Sequence, residues 1–135
     1  MNRREFTLKI SQLILEMCAK GEQPIFDYLL RSTEEQQRLF GIGRTMIGSG
    51  VWVDGNSARI VTKCDGVTRI SAHQKGIAAD IYLTELDAAG EFKRILFDWP
   101  EDKAVLWHKR WEEMGGKPVL TDSTGKPWDL GHFEG

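Results

Sequence analysis

Two short segments of this chain gather the residue types that hold metal ions and move protons. The first is Ser71-Ala72-His73-Gln74-Lys75-Gly76-Ile77-Ala78-Ala79-Asp80, and the second is Pro127-Trp128-Asp129-Leu130-Gly131-His132-Phe133-Glu134. Between them they hold two of only three histidines. A neutral imidazole and a carboxylate are both good zinc ligands, so His73 and Asp80 make a candidate pair. His132 would complete a three-ligand site and leave a fourth position open for water, which separates a catalytic zinc from a structural one. Asp129 adds a carboxylate near His132, and one carboxylate can serve first as base and then as acid in amide hydrolysis.

The setting of Asp80 strengthens this reading. Ile77, Ala79, Ile81 and Leu83 alternate with Ala78, Asp80 and Tyr82, a period of two that predicts a strand. An acid in so apolar a strand is costly unless it is paired or binds a cation. Gly76 permits tight backbone geometry between the two candidate ligands.

Other elements must bring the two segments together. Phe6, Ile10, Leu13, Ile14 and Met17 recur at helical spacing and predict a helix over residues 3–20, stopped by Gly21. Residues Ile25 to Leu30 read as a short strand. Ser32-Thr33-Glu34-Glu35 reads as a capping box that opens a helix to about Phe40, ended by Gly41-Ile42-Gly43. From Gly43 to Ser71 the chain reads as a long loop with extended pieces such as Arg59-Ile60-Val61, and loops this long are often functional. Asp87 to Gly90 predicts a turn into a strand at Phe92–Phe97. Ala104, Trp107, Trp111 and Met114 mark a third helix ending near Gly115-Gly116. Lys117 to Pro127 is loop-like, and Asp129 to Glu134 forms a last strand or extended rim. The expected fold is a single α+β domain over residues 1–135, with a small antiparallel sheet backed by helices.

Composition bounds the function. The chain has 135 residues, enough for one domain with its own core. A net charge of −2 and only short basic runs argue against nucleic acid as partner. No apolar run approaches a membrane span, and no targeting segment is recognisable, which predicts synthesis in the cytoplasm and no membrane insertion. Cys18 lies in the helical pattern and reads as a core thiol, Cys64 lies in a turn-rich segment, and nothing demands a disulfide between them. His108 reads as a surface or boundary residue. Trp107 and Trp111 read as core, Trp128 as a candidate cleft floor, and Trp52 and Trp99 as either. Glu134 shares a strand face with His132, as its partner or as a plain terminal charge.

These motifs carry a resemblance. Ser71-x-His73-x-x-Gly76-x-Ala78-x-Asp80 matches the SxHxxGxAxD signature of the M15 zinc metallopeptidases, the superfamily of D-Ala-D-Ala carboxypeptidases and dipeptidases. Asp129-x-x-His132-Phe133-Glu134 is similar to that family's second motif, in the form found in phage endolysins that cut the L-alanyl-D-glutamate bond of peptidoglycan. Arg31-Ser32-Thr33-Glu34-Glu35-Gln36, Leu39-Phe40 and Gly43-Arg44-Thr45 resemble a third stretch, RSxEEQxxLYxxGRT. The likeness runs from about residue 25 to the C-terminus.

The resemblance implies one zinc ion held by His73, Asp80 and His132. It implies Asp129 as general base and then acid, and Arg31 as the cation that steadies the carbonyl oxygen as it becomes an oxyanion. Ser71 would wall the site, and Gln36 would orient substrate or Arg31. The implied fold is the small sheet-plus-helices scaffold shared with the hedgehog signalling domain. The implied substrate is a peptidoglycan stem peptide, cut by a phage or prophage lysis enzyme after release through a holin or similar partner. A D-alanyl-D-alanine carboxypeptidase and a zinc-bearing binding or virion module without catalysis are the alternatives. Gly48 to Ser57, with Trp52 and Asp54, departs from the family pattern by replacing a short Gly-Pro link with a longer stretch.

Overall fold

The computed structural model describes residues 1–47 and 51–135. Helix α1 (Arg3–Ala19) is followed by strand β1 (Pro24–Tyr28), helix α2 (Thr33–Gly41), and strands β2 (Arg44–Ile47) and β3 (Val51–Asp54). A 3-10 turn at Ser57–Arg59 leads to the one-turn helix α3 (Ala72–Lys75), strands β4 (Ala78–Leu86) and β5 (Phe92–Leu96), helix α4 (Glu101–Glu113) and strand β6 (His132–Glu134). The expected α+β architecture is present.

The long strand β4 organises the main sheet. It pairs antiparallel with β1, β5 and β6. Asp80 has Tyr28 as its register partner in β1 and His132 in β6, so those two strands lie on opposite sides of it. Leu83 likewise lies between Pro24 and Leu96, which puts β5 after β6 along the same edge. Alternation along β4 then separates two faces. Ala79, Ile81 and Leu83 are buried in the core together with Phe133, the partner of Ala79. Asp80 and His132 share the other face.

Helices α1 and α4 cover the core face. Phe6, Ile10, Leu13 and Met17 of α1 are buried, as are Ala104, Trp107 and Trp111 of α4. Phe6 meets Trp111 edge-on with centroids 5.7 Å apart, a favoured aromatic arrangement. Trp99 joins this core and donates its indole N–H to the Ile81 carbonyl at 3.0 Å.

Several expectations need correction. Strand β1 starts at Pro24 and ends at Tyr28, before Leu29 and Leu30. Pro24 is tolerated because it is the first residue of an edge strand. Ser32 accepts from the Glu35 backbone N–H at 3.1 Å, but the reciprocal half of the box is absent. The Glu35 carboxylate instead takes Arg38 and the Tyr28 hydroxyl. The presumed loop from Gly43 contains the β2–β3 hairpin, whereas Arg59 closes the 3-10 turn and Ile60 and Val61 are irregular. Of the Gly48–Ser57 stretch, residues 48–50 lie outside the described residues. Only His132–Glu134 is strand at the C-terminus. Cys18 is exposed rather than buried, because it follows inward-facing Met17 by about 100° around the helix. Both cysteines are free. His108 is buried, not at the boundary. Trp52 packs edge-on against Phe40, 6.2 Å between centroids, as part of the hairpin's footing.

Candidate metal centre and its cleft

The site is built where α3 meets β4 and β6. Ser71 caps α3 in a complete capping box: its hydroxyl accepts from the Gln74 N–H at 3.2 Å, and the Gln74 side chain accepts from the Ser71 N–H at 3.1 Å. Gly76 ends the turn at φ 69°, a left-handed conformation natural to glycine. A Cβ there would also come within 2.9 Å of the Arg3 Nε. The chain is thereby handed from His73 into β4 within a few residues.

Register does the rest. Because Asp80 and His132 are direct partners in the β4–β6 ladder, their side chains emerge side by side. The Asp80 Oδ1 lies 3.3 Å from His73 Nε2 and 3.0 Å from His132 Nδ1. One atom from each of the three residues falls within 4.8 Å of the others, so this group could hold a metal ion. Ligands around a tetrahedral zinc sit roughly 3–3.5 Å apart, close to the two spacings seen here.

The imidazoles are oriented from behind. His73 is 4% exposed, and its Nδ1–H donates to the Leu29 carbonyl at 2.9 Å, which turns Nε2 toward Asp80. Such outer partners commonly fix the tautomer of a ligating histidine. His132 presents Nδ1 to Asp80, while its Nε2 lies 3.6 Å from a Glu134 carboxylate oxygen. Glu134 is in turn bonded to Lys117. Glu134 is thus a partner of His132 rather than a loose terminal charge.

The electrostatics suit a cation. Burial works to raise the Asp80 pKa, but hydrogen bonds from His132 and His73 outweigh it and hold the carboxyl well below its usual range. Burial opposes a charge on His132, yet the bond to Asp80 and the surrounding acids raise its pKa above the ordinary value. A metal cation would replace the proton that this environment favours.

Asp129 stands beside the group in a left-handed conformation, φ 51°, and its carbonyl accepts from the His132 N–H at 2.9 Å. Its surface reaches solvent, but the surrounding protein desolvates it enough to raise its pKa. Asp80 adds to the effect, while the histidines and Arg31 work against it. A base with a raised pKa is better matched to proton transfer near neutrality.

Arg31 approaches from the end of β1. Its Nη2 is 3.9 Å from Asp80, its Nη1 donates to the Gln36 side chain at 3.0 Å, and its guanidinium lies over the Tyr28 ring. Its Nε is buried without a partner among the described residues. Gln36 is fully buried and also donates to the Cys64 carbonyl at 2.8 Å and the Thr62 hydroxyl at 3.3 Å. Its bond to Arg31 is the contact expected of a residue that orients that guanidinium.

All seven residues singled out from the sequence therefore meet in one region. A cavity of about 730 Å³ is lined by His73, Asp80, His132, Asp129, Arg31 and Ser71, and Gln36 lies beneath its wall. Trp128 also lines it, with half its surface exposed. The Gly43-Arg44-Thr45 part of the third motif serves a different purpose. Arg44 lies over Phe40 and donates to its carbonyl at 2.6 Å, anchoring the hairpin.

Sequence reasoning missed Gln74, Tyr28 and His108. Gln74 was detectable, since Ser71-Ala72-His73-Gln74 is itself a capping-box pattern. Tyr28 and His108 had no local signal. His108 stacks on Phe133, with centroids 4.3 Å apart, and its Nε2–H donates to the Leu130 carbonyl at 2.8 Å. Burial lowers its pKa and keeps it a neutral support behind the His132 segment. No family model matches the chain, and comparison with curated proteins finds no match.

Proposed function

We propose that this chain is a zinc-dependent peptidase that hydrolyses an amide bond in bacterial peptidoglycan stem peptides, with the L-alanyl-D-glutamate bond as its target. The observation that carries the reading is the convergence of His73, Asp80 and His132 with Asp129 and Arg31 in one cleft. Two imidazoles and a carboxylate suit zinc better than magnesium or calcium, which prefer oxygen ligands. When bound, zinc would supply Lewis acidity to water and to the scissile carbonyl. Asp129 accepts the proton of the attacking water and returns it to the departing amine. Arg31, held by Gln36, offers positive charge to the carbonyl oxygen as it becomes anionic. The protein would reach the wall with help from a holin or similar partner.

Replacing Asp129 by Ala tests the catalytic half of this reading. The variant should bind zinc normally but release new amino groups from purified peptidoglycan about 10²–10⁴-fold more slowly. Activity within a few-fold of the parent would refute the role of Asp129. Mass spectrometry of the parent's products should show cleavage after L-alanine, whereas release of free D-alanine would identify a carboxypeptidase instead.

A further inference from the structure

The cavity that holds the metal group is also lined by two cations that the proposed chemistry does not use. Residues 62–70 form a compact loop built around Asp65. Its Oδ1 accepts the backbone N–H groups of Val67, Thr68 and Arg69 at 2.8–2.9 Å. Two glutamines clamp this loop to the site. Gln36 donates to the Cys64 carbonyl, and Gln74, from the turn that carries His73, donates to the Gly66 carbonyl at 3.1 Å. Gly66 sits at φ 85°, where a Cβ would press on the Gln36 side chain at 3.1–3.2 Å. The loop is therefore tied to the same two segments that present Arg31 and His73.

Lys63 and Arg69 both line the cavity that holds the metal group. Both are exposed, and neither has an acidic partner among the described residues. Arg31, by contrast, is turned toward Asp80 and Gln36. Two unpaired cations carried on a clamped loop backbone provide charge-assisted donors along one wall of the cleft. Clamping the loop backbone before binding spares recognition the cost of ordering the loop itself.

We propose that Lys63 and Arg69 form a carboxylate-binding wall, so that the cleft selects peptides bearing a free acid beside the scissile bond. This rests on the peptidase reading and deepens it. In an L-alanyl-D-glutamyl substrate the acid is the free α-carboxylate of D-glutamate. A stem peptide whose glutamate is amidated to isoglutamine presents no charge there and is disfavoured.

The test uses zinc-loaded protein and two stem-peptide analogues in which a ketomethylene group replaces the scissile amide. One carries D-glutamate and the other D-isoglutamine. Titration calorimetry should show the acid binding about five- to tenfold more tightly than the amide, the scale of two partly exposed charge-assisted contacts. In K63Q/R69Q the ratio should fall to near one with zinc stoichiometry intact. The charge-matched control K20Q/K109Q, on the far α1–α4 face, should keep the ratio. A parent ratio near one, a ratio that survives K63Q/R69Q, or an equal fall in the control would each overturn the proposal. Failure of both analogues to bind would overturn it as well. The peptidase reading stands or falls separately, on hydrolysis of intact peptidoglycan.

Discussion

At His73 the two ring nitrogens have separate tasks. Nδ1 is committed to the Leu29 carbonyl, and Nε2 faces Asp80. The ring is buried, so its direction is set by packing as well as by that bond. Removing it should cost the metal directly. His73→Ala is expected to hold far less than one zinc per chain by elemental analysis, and stoichiometric zinc would contradict the ligand set. Residue identities at this site were readable from the sequence because ligand chemistry depends on residue type and spacing. The partners behind them were not. Nothing local to His73 points to Leu29, 44 residues away, and nothing local to His132 points to Lys117 through Glu134.

At the scale of elements, the seam between α4 and β6 positions His132. The Trp111 indole N–H donates to the Glu134 carbonyl at 2.8 Å, and the Lys117 N–H donates to the same carbonyl at 2.8 Å. Gly116 lets the chain leave α4 against the Trp111 ring, since a Cβ there would lie 2.0 Å from the indole nitrogen. Gly116→Ala should therefore destabilise the protein by about 1–3 kcal/mol through overpacking. Urea unfolding should show a lower midpoint, and an unchanged midpoint would mean that the seam relaxes freely. Helices α1 and α4 were legible because their apolar residues follow the helical period. The β2–β3 hairpin was not, because Met46, Ile47 and Val53 are exposed and leave no buried alternation to read. The Ser32 box failed because Glu35 found stronger partners in Arg38 and Tyr28.

Over the whole molecule, distant segments are joined by ion pairs as well as by the core. Glu16 of α1 and Arg110 of α4 form a two-pronged pair at 2.7 and 2.8 Å. Hydrogen bonding to Arg110, against partial desolvation, lowers the Glu16 pKa from 4.5 to about 2. A depressed carboxylate pKa stabilises the fold above the unfolded value, and that contribution is lost as pH falls from 4.5 toward 2. The side chains are about a third exposed, so solvent screening reduces the effect. Thermal unfolding should show the parent losing stability across that window and Arg110→Ala losing less, and parallel curves would contradict the linkage. The meeting of residues 71–80 with 127–134 is also a whole-molecule property. The motifs identified the participants, but the β4–β6 register that seats Asp80 beside His132 became visible only in the fold.

The most direct test of the account is the release of new amino groups from purified peptidoglycan by protein that is zinc-loaded, stripped with a chelator, and reloaded. The account predicts release by the loaded protein, none after stripping, and recovery on reloading with zinc. Equal release before and after complete removal of the metal, or none from protein carrying one zinc per chain, would contradict it.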